Sequence, residues 1–158
     1  MKHNSGDCAG ADPALCDQIV DEARRWLGTP YLHQASVRGA GADCLGLIRG
    51  IWRAVIGPEP REAPNYTRDW SEPSGVEVLM QAGDDVLLRR PERTFHKGCV
   101  LLFRMRDRSV AKHLGIVSQA GQVPRFIHAY TGHGVVESPL SDPWLRRVAV
   151  VYEFPKRG

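Results

Sequence analysis

The sequence predicts an α+β fold, with N-terminal helices packed against an antiparallel β-sheet. Up to about residue 56 the apolar positions recur at helical spacing. From Cys99 onward they fall into short runs rich in Val, Ile, Phe and Tyr, separated by turn residues. Helices first and strands afterwards is the order that lays a helical layer against one sheet face. With 158 residues the chain can bury a core without staples. The sequence divides into a tail, residues 1–11, and one domain, residues 12–158.

The tail is rich in Gly, Ser, Asn and Asp and is expected to be mobile. Asp12 is then a good N-cap and Pro13 a good first helical residue. Leu15, Ile19, Ala23 and Trp26 or Leu27 form the buried stripe, and Gly28 ends the helix. Thr29 to Ala42 is a loop carrying Tyr31 and His33. A second helix opens at Cys44, with Leu47, Ile48, Ile51, Trp52 and Val55 on one face, and Gly57-Pro58 stops it. Prolines 58, 60, 64 and 73 make Gly57 to Ser74 an extended surface excursion. Its Tyr66 and Trp70 either cover a groove or pin the loop to the body. Ser74 to Gln81 reads as a short helix. Strands follow at Cys99 to Met105, 113–118, 126–130, Val135 to Ser138 and Val148 to Phe154. Ser141-Asp142-Pro143-Trp144 has the chemistry of a single helical turn.

The chemistry centres on Cys44. Gly39-Ala40-Gly41-Ala42-Asp43 feeds straight into its helix, so the thiol meets unpaired N–H groups and the positive end of the macrodipole. That setting favours a thiolate, and the small-residue loop predicts an exposed, reactive sulfur. A base must come from elsewhere in the chain. His113 opens HLGIVS and His128 lies within FIHAY, two strands of one hairpin. A turn centred on Ala120-Gly121 sets 113 opposite 128, so that one imidazole can act as base and the other orient it. Pro124 is a place for a bulge that shifts this register.

The remaining features are bland. His3 and His96 read as exposed and idle, and His33 as a solvated loop residue beside the cleft. His128, His133 and a cysteine match no common zinc spacing, so no metal and no cofactor are expected. Cys8, Cys16, Cys44 and Cys99 are expected as free thiols. The net charge of +3 is too mild for a nucleic-acid groove, and the basic clusters at 89–93 and 145–147 read as solvated surface. Neither a secretory leader nor a membrane-spanning run is evident. Synthesis in the cytoplasm is the expectation.

The order GTPY, ADCLGLI, KHLGIV, FIHAY resembles the NlpC/P60 family of papain-like cell-wall peptidases. The stretches PYLHQAS, LLFRMRD and GVVESPL are similar to its branch found in phage tails and gene transfer agents. The resemblance spans about Val20 to Phe154. It implies a papain-like fold, with Cys44 as nucleophile, His113 as general base and His128 as third polar member. Tyr31 corresponds to a tyrosine whose hydroxyl lies near the nucleophile, and Asp43 to the acid before it, an oxyanion and substrate pair. The implied substrate is peptidoglycan, cut between D-glutamate and diaminopimelate. The implied partners are tail-tip or baseplate proteins that carry the enzyme to the wall. Three positions depart from the pattern: Leu45 for serine, His33-Gln34 for Gly-Gly, and Gly98-Cys99 for Gly-Asp. The first two lie where substrate would bind. A structural tail component with a vestigial site, and a thiol amidase or acyltransferase, stand as alternatives.

Overall fold

The computed structural model describes residues 12–63, 66, 77–106 and 108–156. The expected tail, with His3 and Cys8, lies outside them, as do Trp70 and the expected helix start at Ser74.

Helix α1, Pro13–Arg25, begins as its sequence dictates: the Asp12 carboxylate accepts the Ala14 N–H at 3.0 Å, and proline occupies the first turn. Leu15, Cys16, Ile19, Val20 and Ala23 form its buried face. Glu22 is buried with them, accepting from Trp26 Nε1 at 3.1 Å and from Arg25 at 2.9 Å. Gly28 takes φ +86°, which a side chain rarely adopts, and its N–H reaches the Val135 carbonyl at 3.0 Å. The chain then forms a small antiparallel pair, β1 (Ser36–Val37) and β2 (Gly41–Ala42). Two-residue strands are too short to show periodicity, so the sequence presents this stretch only as loop.

Helix α2, Cys44–Ile51, is α-helical for eight residues and then widens into a π-helical segment, Trp52–Ile56. The expected helix thus continues, but with the Gly57 N–H bonding back to the Trp52 carbonyl at 3.0 Å. The wider turn accompanies a Trp52 whose Nε1 donates to the Pro58 carbonyl and whose ring lies 6.1 Å from that of Phe154. Helix α3, Val78–Val86, runs past the expected end at Gln81. Gly83, Asp84 and Asp85 are poor helix formers, but here tertiary contact decides. A Cβ on Gly83 would lie 2.9 Å from the Tyr152 ring, and the Tyr152 hydroxyl donates to Asp84 at 2.9 Å.

Six strands make one antiparallel sheet: β3 (Leu88–Arg89), β4 (Val100–Arg104), β5 (Ala111–Gln119), β6 (Arg125–Tyr130), β7 (Gly134–Pro139) and β8 (Val148–Glu153). Their spatial order is β3-β8-β4-β5-β6-β7. One face packs against α1 and α2 through Ile19, Ala23, Leu47, Ile51, Leu102, Leu114, Ile116 and Ile127. The other buries Phe95, Leu101, Phe103, Val117, Phe126 and Val151, with Trp144 of the short helix α4 (Asp142–Arg146) packed on them.

The β5–β6 register differs from expectation. Ile116 pairs with Ile127 and Val117 with Phe126, two residues away from the pairing that opposes His113 and His128. An irregularity between Val117 and Gln119, ahead of a loop that ends at Pro124, absorbs the difference. The histidines are therefore diagonal neighbours on one face rather than direct partners. Long side chains still reach each other across that diagonal.

Candidate active site

Asp43 organises the entry to α2. It caps the helix by accepting the Gly46 N–H on Oδ1 at 2.8 Å. Its Oδ2 accepts the Gln34 N–H at 2.7 Å and the Tyr66 hydroxyl proton, and His33 Nδ1 lies 3.8 Å away. Asp43 is only 2% exposed, so its carboxylate is taken up in holding the loop. Tyr66 pins the Pro-rich excursion at this point. The charged carboxylate beside it and, above all, burial hold its hydroxyl well above the usual phenol range.

Cys44 is the first residue of α2, as the apolar stripe predicts, but it is not exposed: 4% of its surface is accessible. Burial, reinforced by the neighbouring Asp43 charge, pushes the thiol up to about 12. The expected thiolate-favouring setting is therefore overturned at rest, because desolvation of the sulfur outweighs the helix terminus. Its sulfur lies 3.9 Å from the Lys112 carbonyl oxygen, and among the described residues no hydrogen bond joins it to His113.

His113 lies on β5 and His128 on β6. His113 Nε2 and His128 Nδ1 are 2.8 Å apart, and His128 Nε2 is 2.9 Å from Ser138 Oγ on β7. With His113 Nε2 engaged, Nδ1 is the nitrogen left for a thiol proton. One self-consistent arrangement has His113 Nε2–H donating to His128 Nδ1 and His128 Nε2–H donating to Ser138. Burial lowers His113 to about 3, with His128 adding to the effect, and lowers His128 to about 4. Both rings are thus neutral at pH 7. Trp144 sits against them, 5.6 Å from His113 and 5.3 Å from His128.

These elements meet at a cleft of about 210 Å³ whose walls include Tyr31, His33, Cys44, Met105, His113 and Tyr130. The structure brings Tyr31, Asp43, Cys44 and His113 to this one cleft, with His128 directly behind His113. Tyr31 bridges to Ala42, two residues before the cysteine. Sequence reading missed Ser138, Trp144 and Met105, which become visible only when β4, β7 and α4 are assembled around the histidines.

His96 is 2% exposed, not the idle surface residue expected. Its Nδ1 faces the Lys97 carbonyl and its Nε2 faces Glu153, each at 2.8 Å. Ligand atoms of His96, Cys99 and Glu153 lie within 4.8 Å of one another, the metal-compatible group among the described residues. Each of these side chains already has protein neighbours, and Arg90 donates to Glu153, so protein contacts account for their burial.

Over 97% of its length the chain superposes on a lipoprotein-like NLP/P60 family protein of Staphylococcus aureus, TM-score 0.60 at 18% identity, spanning 44% of that chain. It matches the NlpC/P60 domain of the peptidoglycan hydrolase SagA over 88% of its own length and 98% of that domain, TM-score 0.58 at 21% identity. The fold is that of the NlpC/P60 proteins. An NlpC/P60 protein of Bacillus cereus agrees, with TM-score 0.59 at 19% identity over 88% of this chain and 40% of that one. No family model matches the sequence. Among curated proteins, the chain is 30% identical over 147 residues to a gamma-DL-glutamyl hydrolase of Bacillus subtilis. It is 27% identical over 131 residues to the murein DD-endopeptidase/LD-carboxypeptidase MepS of Escherichia coli. It spans 31% and 57% of those two proteins and is itself matched over 91% and 82% of its length. No described helix is long and apolar enough to cross a membrane.

Proposed function

We propose that the chain is a cysteine peptidase that hydrolyses stem-peptide amide bonds of peptidoglycan. One observation carries this reading: a cysteine that opens a helix and a histidine held by a second histidine form the walls of one cleft. The order of events follows from the protonation states. The Cys44 thiol and His113 are both neutral at rest, so the thiol is deprotonated as it attacks. The sulfur leaves the Lys112 carbonyl and turns to His113 Nδ1, which takes the proton while sulfur adds to the substrate carbonyl. The Cys44 N–H and the Tyr31 hydroxyl are the donors assigned to the resulting oxyanion. His113 then protonates the leaving amine, the C–N bond breaks, and a thioester remains. Water, deprotonated by His113, hydrolyses it and restores the thiol. His128 holds His113 in the required tautomer.

The name of one similar protein, a murein peptidase, supports a wall peptide as substrate, and that of another, a gamma-DL-glutamyl hydrolase, supports a glutamyl amide bond. The bond between D-glutamate and diaminopimelate is our assignment within that class. Carriage on a phage-like tail rests on the resemblance of PYLHQAS, LLFRMRD and GVVESPL. The test is a muropeptide digest read by mass spectrometry. Wild-type protein is expected to release fragments ending in D-glutamate, and Cys44→Ala none. Unchanged muropeptides with both proteins would return the site to the vestigial reading. For carriage, the chain should cofractionate with purified tail particles, and its absence from every particle fraction ends that part.

A further inference from the structure

A second concavity, about 510 Å³, adjoins the cleft and is lined by Arg93, Arg104, Arg106, Arg146 and Arg147, with Met105. Met105 lines the cleft as well, so the two share a wall. A second link runs through α4. Trp144 lies against His113 on one side, and the Arg147 guanidinium sits 5.9 Å from the centre of its ring. Arg104 pairs with Glu77. Among the described residues, Arg93, Arg106, Arg146 and Arg147 form no ion pair. Four guanidinium groups without an ion pair among the described residues thus gather around one groove, in a chain whose net charge is only +3. Like charges gathered this way repel, and an anionic ligand relieves that repulsion.

We infer that this groove is the anionic subsite of the peptidase: it binds the free carboxylates of a glutamyl-rich peptide on one side of the scissile bond. The inference rests on the peptide-hydrolase reading above and adds a substrate preference to it. A γ-linked glutamyl unit leaves its α-carboxylate free at every residue, so a peptide threaded through the cleft presents a row of carboxylates. Guanidinium forks match such groups in a bidentate way that ammonium groups do not. The groove is open to solvent, so its contribution depends on ionic strength.

The test uses the full chain in two arms. In the first, Cys44→Ala protein is titrated with a fluorescent γ-linked glutamyl hexapeptide and with the same peptide carrying α-amides. Binding should favour the free-carboxylate peptide about tenfold, a few modest ion pairs acting together, and should weaken as salt is raised. In the second, active protein and the Arg93→Gln/Arg106→Gln/Arg146→Gln variant are compared on both peptides. The variant leaves Arg147 on Trp144 and Arg104 on Glu77, and an equal melting temperature verifies its fold. Its preference for the charged peptide should fall towards one through a rise in KM.

Arginine-dependent binding without cleavage of the hexapeptide would sustain the subsite and exclude a bond between two glutamyl units as the one cut. A muropeptide digest that also stays unchanged would end the peptidase reading. Cleavage of both peptides at equal efficiency, with no arginine effect, would end the subsite and leave the peptidase. Arginine-dependent binding of poly(glycerol phosphate) with no binding of the glutamyl peptide also overturns the inference, since the groove would then serve a phosphodiester polymer.

Discussion

At the residue scale, chemistry and burial pull on the same groups. Cys44, His113 and His128 must exchange protons, yet each is nearly sealed from water. The acid limb of the pH–rate profile should therefore lie well below the ordinary histidine value of 6.5, following His113, which burial lowers to about 3. A profile falling off near 6.5 would mean that His113 is not the base. Replacing Cys44 by Ala should abolish hydrolysis, whereas Cys99→Ser should retain it in whatever fraction stays folded. Cys99 is fully buried at the entry to β4, away from the cleft, so its substitution costs stability rather than chemistry. Tyr66→Phe tests the hydroxyl that donates to Asp43. Leaving that buried carboxylate short of a partner should cost ~1–3 kcal/mol in chemical denaturation.

Elements place these residues by local rules, and the rules differ in how far the sequence displays them. The start of α1 at Pro13 is legible because Asp12 is a capping residue, and that of α2 at Cys44 because a helical apolar stripe follows a loop of small residues; the cap that Asp43 supplies there went unread. The strands that bear the histidines are legible from their β-branched and aromatic runs. Their mutual register is not: an irregularity near Val117 and a five-residue loop move it by two, and nothing in local composition fixes such a slip. The burial of Cys44 was equally hidden, since its sulfur meets the Lys112 carbonyl, which is distant in sequence. Gly46 gives a sharp test at this scale. A Cβ there would lie 1.8 Å from the Ala35 carbonyl oxygen, a backbone atom that cannot swing aside. Gly46→Ala should cost at least ~1–3 kcal/mol and displace the loop that holds the thiol. Far lower activity in the remaining folded protein, at unchanged secondary structure by circular dichroism, is the expected outcome.

Across the whole molecule, the two histidines give folding a pH dependence. Each is neutral in the folded chain down to about 3 or 4, but takes a proton near 6.5 once unfolded. The unfolded state thus binds more protons in that window, so stability is full above 6.5 and falls as pH drops through it. The slope is at most ~1.4 kcal/mol per pH unit for each histidine. Urea titrations at pH 7, 5.5 and 4.5 should show the midpoint falling, and His128→Asn should flatten that fall. The α+β plan itself, helices on one face of an antiparallel sheet, was legible from element order alone. The second apolar layer, with α4 closing over Phe103 and Phe126, was not, because a five-residue helix leaves almost no periodic trace.

The site is also assembled from parts of unequal permanence. His113 and His128 belong to β5 and β6, interior strands of the six-stranded sheet, whereas Cys44 lies at the very end of α2, next to a loop tied down chiefly through Asp43. Interior strands open only with the whole molecule, while loops open at lower cost. Warming should therefore part the nucleophile from its base before the sheet melts. Activity assayed during a slow heating ramp is expected to vanish several degrees below the loss of β-sheet signal, and to return on cooling from that interval.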